Sequence, residues 1–557
     1  MSEATGVAID LSISGMTCGN CAPHVKERLA AVPGVDEVDV RYPEGTASVR
    51  AATGIDADPL MAALIGSGYS ATPLGGGAVA FKNGTGGDEP GGAGKVLAVV
   101  GGGSAGFAAA IRAVEKGARV LMVQEGTIGG TCVNVGCVPS KTLIRAGEVR
   151  HRQSVHPFEG ISTMDAPVDW ERVRQGKDDL VNALRKAKYE DVLAAYPEIT
   201  LIEGRGVLTE DGMLELSDGT PVPADAVVVA TGSSAWIPDV PGLQESGYLD
   251  STALLDIQAL PESLIVLGAG SVGLELAQAY SRLGVDVTVI ARSRLISGGD
   301  PDVSDELARY LRSEGIDVHT YTQVTSVVRD DTEIRAHTTS SEGVEATLAA
   351  SEILVASGRR ANTADLGLEG AGVQLGRRGE ILVDEHMATG NPRVFAAGDV
   401  TGGEMHVYVA AKAGNVAAEN ALGGAETVDW SVLPQVTFTD PSVASVGLTE
   451  AGAKKNGLSP IVSKLPLEHV PRALAARDTR GFIKLVADAD TRRIIGAHVL
   501  APEGGELIME PALAIRFGLT IEDLTSLLHP YLTQSEGIKL AALTFDKDVE
   551  KLSCCAV

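Results

Sequence analysis

The chain carries one local pattern twice, in which a short apolar run leads through a glycine-rich turn into a helical pattern. The two copies read KVLAVVGGGSAGFAAAIRAVEKG and SLIVLGAGSVGLELAQAYSRLG. Their motif glycines are Gly101, Gly103 and Gly106 in the first copy, and Gly268, Gly270 and Gly273 in the second. Because glycine has no side chain, backbone N–H groups and a helix N-terminus can approach a pyrophosphate at such a turn. The repeat therefore predicts two dinucleotide-binding domains in one α/β chain.

The residues that follow the second strand differ between the two copies. Glu125 follows the predicted strand Ala118–Val123, where a carboxylate binds a ribose diol. In the second copy the strand DVTVIARSR ends with Arg292 and Arg294, and no acid stands there. Arginine suits a 2′-phosphate, so this site is predicted to prefer NADPH to NADH. The alternative, that both arginines only solvate the end of a strand, stays open.

All cysteines of the chain fall into close pairs of different spacing. The pairs are Cys18 and Cys21 in GMTCGNC, Cys132 and Cys137 in GGTCVNVGCVPSK, and Cys554 and Cys555 near the end. Paired thiolates exchange electrons as dithiol and disulfide, or they hold soft metal ions. We expect the residues between Cys132 and Cys137 to form one helical turn that brings the two sulfurs within bonding distance. No cysteine remains for a scattered disulfide framework.

Length and charge limit the classes of function. A chain of 557 residues is too long for one core and predicts three or four domains. A net charge of −27 argues against nucleic acid and anionic membranes as partners. The longest apolar stretch, Val96–Ile111, is broken by glycines and too short to span a membrane. The opening MSEATGVAIDLSI lacks a basic segment followed by an apolar one, so a cytoplasmic protein is predicted.

Several motifs resemble those of the flavoprotein pyridine nucleotide–disulfide oxidoreductase family. They are GGTCVNVGCVPSK, VVVATGS, ILVASGRRANT, VFAAGD and FTDPSVASVGLTE. The resemblance covers residues 95 to about 545 and implies FAD in the first dinucleotide site and the nicotinamide in the second. It implies that Cys137 is the sulfur next to the flavin and Cys132 the outer one. It also implies that Lys141 lies near flavin N5, paired with Glu275.

The same resemblance assigns further FAD contacts. Asp399 is expected to hydrogen-bond the ribityl or phosphate region. The other assigned positions are Gly126, Thr131, Gly206 and the backbone of Val407.

The chain departs from the disulfide reductases of this family near its end. Those enzymes end with H-P-x-x-x-E, whose histidine is the general base for thiol exchange, whereas YLTQSE here places Tyr531 at that position, five residues before Glu536. His529 is offset by two residues. A phenol with an ordinary pKa near 10 is a poor acid–base relay at neutral pH. Thiol–disulfide exchange is therefore disfavoured as the reaction.

Tyr531 together with a terminal vicinal cysteine pair resembles the branch of the family that reduces Hg(II). Tyr189 matches the second active-site tyrosine of that branch, whereas its position alone would indicate only an amphipathic helix. The resemblance implies NADPH-dependent reduction of Hg(II) to volatile Hg(0), a detoxification. Tyr189 and Tyr531 would line the reduction site, and Cys554 and Cys555 would relay the ion.

The N-terminal segment resembles the heavy-metal-associated domain of metal chaperones and metal-pumping ATPases. Its pattern is βαββαβ, which is the ferredoxin-like arrangement. Cys18 and Cys21 would collect Hg(II) from small-thiol complexes or from other thiol proteins, and Cys21 opens a helix whose dipole favours thiolate.

The predicted domains comprise this metal-binding domain, a tether, two interleaved dinucleotide-binding domains and an α+β dimerisation domain. Their bounds are 1–74, the Gly-rich linker 75–94, the FAD domain at 95–245 and 359–430, the NADPH domain at 246–358, and the dimerisation domain 431–557. In this family the C-terminal segment of one subunit completes the active site of the other, so a homodimer with shared sites is implied. Two alternatives stay open: a thioredoxin- or glutathione-type disulfide reductase, and a non-catalytic protein that sequesters soft metals.

Overall fold

The structure is a computed structural model. It describes residues 7–14, 21–42, 45–51, 60–61, 63–64, 69–73, 92 and 94–551. Residues 1–88 and 89–557 form separate compact units. None of the helices in these described ranges is both long and apolar enough to cross a membrane.

The first unit is an antiparallel sheet with a helix packed on it. Its elements are β1 (Val7–Ser14), the helix Cys21–Ala30, β2 (Val35–Arg41), β3 (Thr46–Ala51) and β4 (Ser70–Pro73). The strand order β2-β3-β1-β4 places β1 between β3 and β4, which confirms the predicted ferredoxin-like arrangement. Val25 and Leu29 of the helix are buried with Leu11 and Val49 of the sheet. Of the predicted second helix, Leu60 and Met61 are helical, and most of the rest lies outside the described residues.

The second unit begins with a five-stranded parallel sheet. Its strands are β5 (Val96–Val100), β6 (Arg119–Gln124), β7 (Ile199–Glu203), β11 (Ala226–Val229) and β21 (Val394–Ala396), in the order β21-β11-β5-β6-β7. Its central strand reads VLAVV and is buried along almost all of its length, as strands covered on both faces are. The helix Ser104–Glu115 packs on it against the helix Val407–Ala421. A small antiparallel sheet lies beside it, formed by β8 (Gly206–Leu208), β9 (Leu214–Leu216) and β10 (Pro221–Val222).

The chain forms a second parallel sheet after β11 and before it returns to the first sheet at β21. Its strands are β13 (Ser263–Leu267), β14 (Asp286–Ile290), β15 (Asp317–His319) and β19 (Glu352–Val355), in the order β15-β14-β13-β19. The antiparallel strands β16 (Thr322–Arg329), β17 (Ile334–Ser340) and β18 (Glu345–Ala350) accompany it. The pair β12 (Ser233–Ala235) and β20 (Arg359–Ala361) lies where the chain leaves and re-enters the first sheet. Two doubly wound sheets in one chain confirm the predicted fold class.

The C-terminal part is an antiparallel sheet covered by helices, as predicted for an α+β domain. Its strands are β22 (Gln435–Thr437), β23 (Ser442–Gly447), β24 (Pro460–Pro466), β25 (Phe482–Asp488) and β26 (Ile494–Ala501), in the order β22-β23-β26-β25-β24. The covering helices are Met509–Phe517, Ile521–Ser526 and Glu536–Leu543. Arg282 forms buried ion pairs with Glu314 of its own domain (2.7 Å) and with Asp440 (2.9 Å), and the second pair ties the second dinucleotide domain to this part.

The remaining helices connect the strands along the chain. They are Gly130–Val135, Cys137–Ser154, Trp170–Arg185, a π-helix at Lys186–Glu190, Asp191–Ala195, Leu243–Ser246, Ser251–Leu255, Ser271–Arg282, Pro301–Ser313, Glu450–Lys455 and Pro471–Ala476. The helix Cys137–Ser154 packs against Ser271–Arg282, and a Cβ at Gly147 would lie only 3.1 Å from the carbonyl oxygen of Ala279. This close crossing brings the motif that contains Cys132 and Cys137 next to the second glycine motif.

Candidate active site

The first glycine turn has room only for glycine at its critical positions. Gly101 has φ +111°, and a Cβ there would lie 2.4 Å from the carbonyl oxygen of Ala230. A Cβ at Gly106 would lie 1.8 Å from the carbonyl oxygen of Gly101. Gly103 caps the helix Ser104–Glu115, whose N-terminus carries the positive end of the helix dipole. This is a cradle that fits a pyrophosphate.

A cavity of about 380 Å³ lies next to this turn. Gly101, Glu125 and Gly206 line it, together with Thr231 and Asn362. Glu125 is exposed at the end of β6, so its carboxylate is available to a ligand in the cavity. Gly126, the next residue, has φ +78°. These features fit the adenosine end of a dinucleotide such as FAD.

One residue of this turn was missed from the sequence. The amide oxygen of Gln124 accepts a hydrogen bond from the N–H of Gly102, and its amide nitrogen donates to the carbonyl of Glu125 at 2.6 Å. Gln124 therefore fixes the glycine turn relative to the acid. Its place directly before Glu125 was the only sequence signal.

The second glycine turn repeats the geometry. Gly268 has φ +118° and its Cβ would lie 2.3 Å from the carbonyl oxygen of Ala356. Gly270 caps the helix Ser271–Arg282, and a Cβ at Gly273 would lie 2.2 Å from the carbonyl oxygen of Gly268. The turn therefore fits a second dinucleotide.

The two arginines follow β14 at this turn. Arg292 is exposed and Arg294 is half-buried. Within the described ranges neither guanidinium forms a side-chain hydrogen bond or an ion pair. Both charges are therefore available to a phosphate.

The motif that contains Cys132 and Cys137 is anchored directly on the first glycine turn. The N–H of Gly129 donates to the carbonyl of Gly102 at 2.9 Å, and a Cβ at Gly130 would lie 2.6 Å from the Cα of Gly103. The short helix Gly130–Val135, which carries Thr131 and Cys132, starts at this contact. Cys132 is thereby held beside the predicted flavin-binding turn.

The expectation of one helical turn between the cysteines is confirmed for residues 133–135 and is wrong for Gly136. The helix Gly130–Val135 ends at Gly136, which has φ −131° and ψ −110°, and Cys137 begins a new helix that runs to Ser154. A Cβ at Gly136 would lie 2.8 Å from the carbonyl oxygen of Thr131, so glycine allows the close approach that the break requires. The break places Cys137 at a helix N-terminus, where a negative charge is favoured.

Both cysteines are free thiols, and their ionisation differs. A hydrogen bond from the Cys132 thiol, assisted by the charge of Lys141, lowers the pKa of Cys137 to about 6. The same hydrogen bond and burial raise the pKa of Cys132 well above its ordinary value. At neutral pH the reduced pair therefore holds its negative charge on Cys137, the sulfur that the family resemblance places next to the flavin.

Lys141 and Glu275 meet across the two domains. The ammonium of Lys141 lies 2.6 Å from Glu275 Oε2, and the side chain of Glu275 is only 6% exposed. The ammonium also lies over the ring of Phe438, 4.7 Å from its centroid. Phe438 is the first residue of the motif FTDPSVASVGLTE, but the sequence does not indicate that it belongs to the site. Its ring reaches Lys141 only because the terminal domain packs there.

Tyr189 lies in the π-helix Lys186–Glu190. Its ring packs edge-on against Phe107 at 4.7 Å, and a Cβ at Gly129 would touch it at 3.3 Å. Burial, followed by the charge of Cys132, raises the pKa of its hydroxyl. Tyr189 therefore lies within electrostatic reach of the cysteine pair in its own chain. The wider π-turn, which is frequent at functional sites, was not evident from the sequence.

The remaining predicted cofactor positions lie around the end of the first sheet. Asp399 Oδ2 accepts a hydrogen bond from Ser233 at 2.6 Å, and Ser233 in turn accepts one from Arg359 at 2.7 Å. Val407 is the first residue of the helix Val407–Ala421, so its backbone N–H is one of the unpaired donors at that N-terminus. Thr131 is exposed.

Tyr531 lies on the terminal domain and is 56% exposed. It comes shortly before the helix Glu536–Leu543, where the buried carboxylate of Glu536 accepts a hydrogen bond from the N–H of Leu532 at 3.1 Å. His529 is paired with Glu510 at 2.8 Å instead of facing a thiol relay. Tyr531 is thus on the surface of this chain, where another molecule can reach it.

Part of the predicted metal path lies outside the described residues. This applies to Cys18, Cys554 and Cys555, and to the side chain of Cys21, although Cys21 does begin the helix Cys21–Ala30 as predicted. In the part of the chain that the structure does describe, no group of three or more His, Cys, Asp or Glu side chains could hold a metal ion.

Comparison with known families agrees with this geometry along the chain. The pyridine nucleotide-disulphide oxidoreductase family matches residues 95–414, and the dimerisation domain of that family matches residues 433–542. The heavy-metal-associated domain matches residues 10–70. The family implies a flavin and a pyridine nucleotide as cofactors.

Curated relatives match over nearly the whole chain. A mercuric reductase of Acidithiobacillus ferrooxidans is 43% identical over 98% of both chains. One of Streptomyces lividans is 48% identical over 83% of this chain and 98% of its own length. The part of this chain without a counterpart in the second alignment is close in size to residues 1–94.

Solved structures share the fold. LpdA of Mycobacterium tuberculosis aligns with a TM-score of 0.71 at 29% identity, covering 81% of this chain and all of that one. The HOCl-induced flavoprotein disulfide reductase RclA of Escherichia coli, as its Cu(II) complex, aligns with a TM-score of 0.70 at 30% identity over 79% of this chain and 98% of its own. With two dinucleotide turns, a paired thiol and thiolate between them, and relatives along its full length, the chain belongs to the pyridine nucleotide-disulphide oxidoreductase family, among its mercuric reductases.

Proposed function

We propose that this enzyme reduces Hg(II) to Hg(0) with NADPH as the electron donor and FAD as the flavin. The overall reaction is NADPH + Hg(II) → NADP⁺ + H⁺ + Hg(0), a two-electron transfer that yields an uncharged, volatile product. The observation that carries the proposal is the pair Cys132 and Cys137, in which one thiolate and one thiol lie together beside Lys141. A thiophilic ion bound by both sulfurs releases the thiol proton and needs no further acid–base relay.

The residues fit FAD and NADPH at the two turns. The glycine cradle and the cavity at Glu125 would hold the FAD pyrophosphate and adenosine, and Asp399 and the N-terminus at Val407 would hold its other end. FAD, when bound, supplies a two-electron relay between the nicotinamide and the cysteine pair. Gly268, Gly270 and Gly273 would bind the NADPH pyrophosphate.

The protein's own part is to strip competing ligands from the ion and to hold it. Cys18 and Cys21 would collect Hg(II), Cys554 and Cys555 would relay it, and Cys132 and Cys137 would present it as a dithiolate. Tyr189 and Tyr531 would line the site, Tyr531 from the partner subunit of a homodimer. Because Tyr531 replaces the histidine of the disulfide reductases, exchange with a thiol substrate lacks its general base.

Consumption of NADPH on adding Hg(II) with excess small thiol tests the proposal. We expect NADPH oxidation in step with loss of mercury into the gas phase. A disulfide reductase would oxidise NADPH with a disulfide substrate and be inhibited by Hg(II). A sequestering protein would bind Hg(II) and consume no NADPH.

The arginines at the second turn should set the choice of nucleotide. Replacing Arg292 and Arg294 by Gln should raise KM for NADPH by about tenfold or more, because hydrogen bonds between charged groups are lost. KM for NADH, which lacks the 2′-phosphate, should change little. Steady-state kinetics with both nucleotides measures the two KM values. Arg360→Gln, at an exposed position of β20, is the matched control. Equal changes in both KM values would refute the assignment.

The N-terminal unit should be dispensable for chemistry but useful for capture. A truncated chain that starts at Lys95 retains both dinucleotide turns and the pair Cys132 and Cys137, and it is close in length to the 466 residues that align with the shorter relative. We expect it to reduce Hg(II)–small-thiol complexes at a rate within about twofold of the full chain, since it keeps every residue proposed to take part in the reduction itself and non-interacting sites contribute independently. Its deficit should appear when the ion is delivered by a protein dithiol at low free thiol. A folded, FAD-loaded truncation without activity would contradict the proposal.

A further inference from the structure

The ammonium of Lys141 is held on two sides. Its Nζ lies 2.6 Å from Glu275 Oε2 and 4.7 Å from the centroid of the Phe438 ring. The Lys141 side chain is one-third exposed, so solvent partly screens the ion pair. A long lysine stem also loses rotamer freedom when its head is confined to one place. The aromatic face supplies the second restraint that a partly screened ion pair lacks.

One carboxylate holds both partners of this contact. Glu275 Oε2 pairs with Lys141, while Glu275 Oε1 accepts a hydrogen bond from the backbone N–H of Phe438 at 2.9 Å. Both oxygens are therefore occupied in a nearly fully buried side chain. The buried carboxylate of Glu275 therefore brings the Lys141 ammonium and the Phe438 backbone to neighbouring positions.

The backbone that carries the ring is fixed independently of the ring. Ser271 and Thr437 share a hydrogen bond between their hydroxyls at 2.7 Å. Gln278 accepts from the N–H of Asp440 and donates to its carbonyl, both at 2.8 Å. Phe438 lies between these anchors, and it is 42% exposed. Because hydrogen bonds to the backbone hold the segment and the ring is partly exposed, changing the ring should leave the fold intact.

We propose that Phe438 is a positioning residue for Lys141, whose aromatic face keeps the ammonium fixed at the flavin site. The inference rests on the proposed function only in placing FAD beside Lys141. A fixed positive charge favours the more negative, reduced flavin, so it raises the midpoint potential. A lysine released from the ring would spread its charge over many positions in solvent and lose part of that effect.

The test compares Phe438→Leu, which removes the aromatic face, with Phe438→Tyr, which keeps it. In the FAD-loaded enzyme we expect Phe438→Leu to lower the flavin midpoint potential, in the same direction as Lys141→Met and by a smaller amount. Phe438→Tyr, which keeps the aromatic face, should retain the wild-type midpoint potential. Amine labelling of Lys141, followed by mass spectrometry, should become about fivefold faster in Phe438→Leu, as expected from loss of one cation–π contact.

The double variant separates positioning from a general structural effect. In the Lys141→Met background, Phe438→Leu should produce no further change in potential, because there is no ammonium left to hold. A full additional shift there, or unchanged potential and labelling in the single variant, would overturn the proposal. Phe438→Met serves as a second non-aromatic variant if Phe438→Leu loses FAD. None of these measurements uses mercury, so a failure of this inference is distinguishable from a failure of the proposed reaction.

Discussion

Replacing Cys137 by Ala is expected to lower the rate of Hg(II) reduction by at least about 10³-fold, because the thiolate that binds the ion next to the flavin is removed. Cys132→Ala should be similarly inactive, since one sulfur cannot form the dithiolate. Both variants should still bind FAD, because the glycine cradle is unchanged. Ser154→Ala is the matched control, because Ser154 lies at the far end of the helix that Cys137 begins, and it should retain wild-type turnover. Stopped-flow and steady-state assays with NADPH measure these rates.

The ionisation of the pair gives this expectation a pH dependence. The pKa of Cys137 is lowered to about 6, so its thiolate is present above that pH and is lost as the pH falls through it. Alkylation of the reduced enzyme should therefore slow as the pH is lowered through about 6, with the label on Cys137 and not on Cys132. Preferential labelling of Cys132 would contradict the assignment of the two sulfurs.

The second large effect is expected from mixed dimers. If the C-terminal tail of one subunit serves the cysteine pair of the other, two inactive parents should complement each other. One parent carries Cys132→Ala, and the other carries Ala at both Cys554 and Cys555. In their heterodimer, the intact tail of the first chain meets the intact pair of the second, so one of two sites is whole. Activity should return to about half of the wild-type value per dimer, as two-fold symmetry requires.

A tail that served its own subunit would give a different result. Every site of the heterodimer would then contain one defect, and no activity would return. Differentially tagged chains identify the heterodimer, and its turnover is measured with little small thiol, which could otherwise bypass the tail. Pure heterodimer without turnover would exclude the shared site.

Much of the site was readable from the sequence because short-range sterics determine it. Part of the need for glycine comes from backbone contacts within the turn itself, such as that between Gly106 and the carbonyl of Gly101. The spacing of these glycines therefore predicted both dinucleotide folds. The predicted preference for NADPH likewise depended only on a local pattern, in which Arg292 and Arg294 stand where the first copy has an acid. The pairing of Lys141 with Glu275 came from the family resemblance, since 134 residues separate them.

Other features depended on contacts that no local pattern contains. The break at Gly136 makes Cys137 the first residue of a helix, and the quoted motif does not indicate it. Which cysteine is the thiolate is decided by a hydrogen bond and by the charge of Lys141. Phe438 reaches that lysine only through a segment of the terminal domain.

The division has one physical reason. The spacing of the glycines in each turn reflects contacts between residues close in sequence, such as Gly106 with Gly101 and Gly273 with Gly268, so the sequence alone determined the two dinucleotide folds and the pairing of the cysteines. The position of the Lys141 charge depends on its distance from Glu275 in a separate domain, and the ionisation of the thiols depends on that charge and on the distance between Cys132 and Cys137. Only the tertiary structure decided those distances, because the packing of the helix Cys137–Ser154 against Gly130–Val135 and against Ser271–Arg282 sets them.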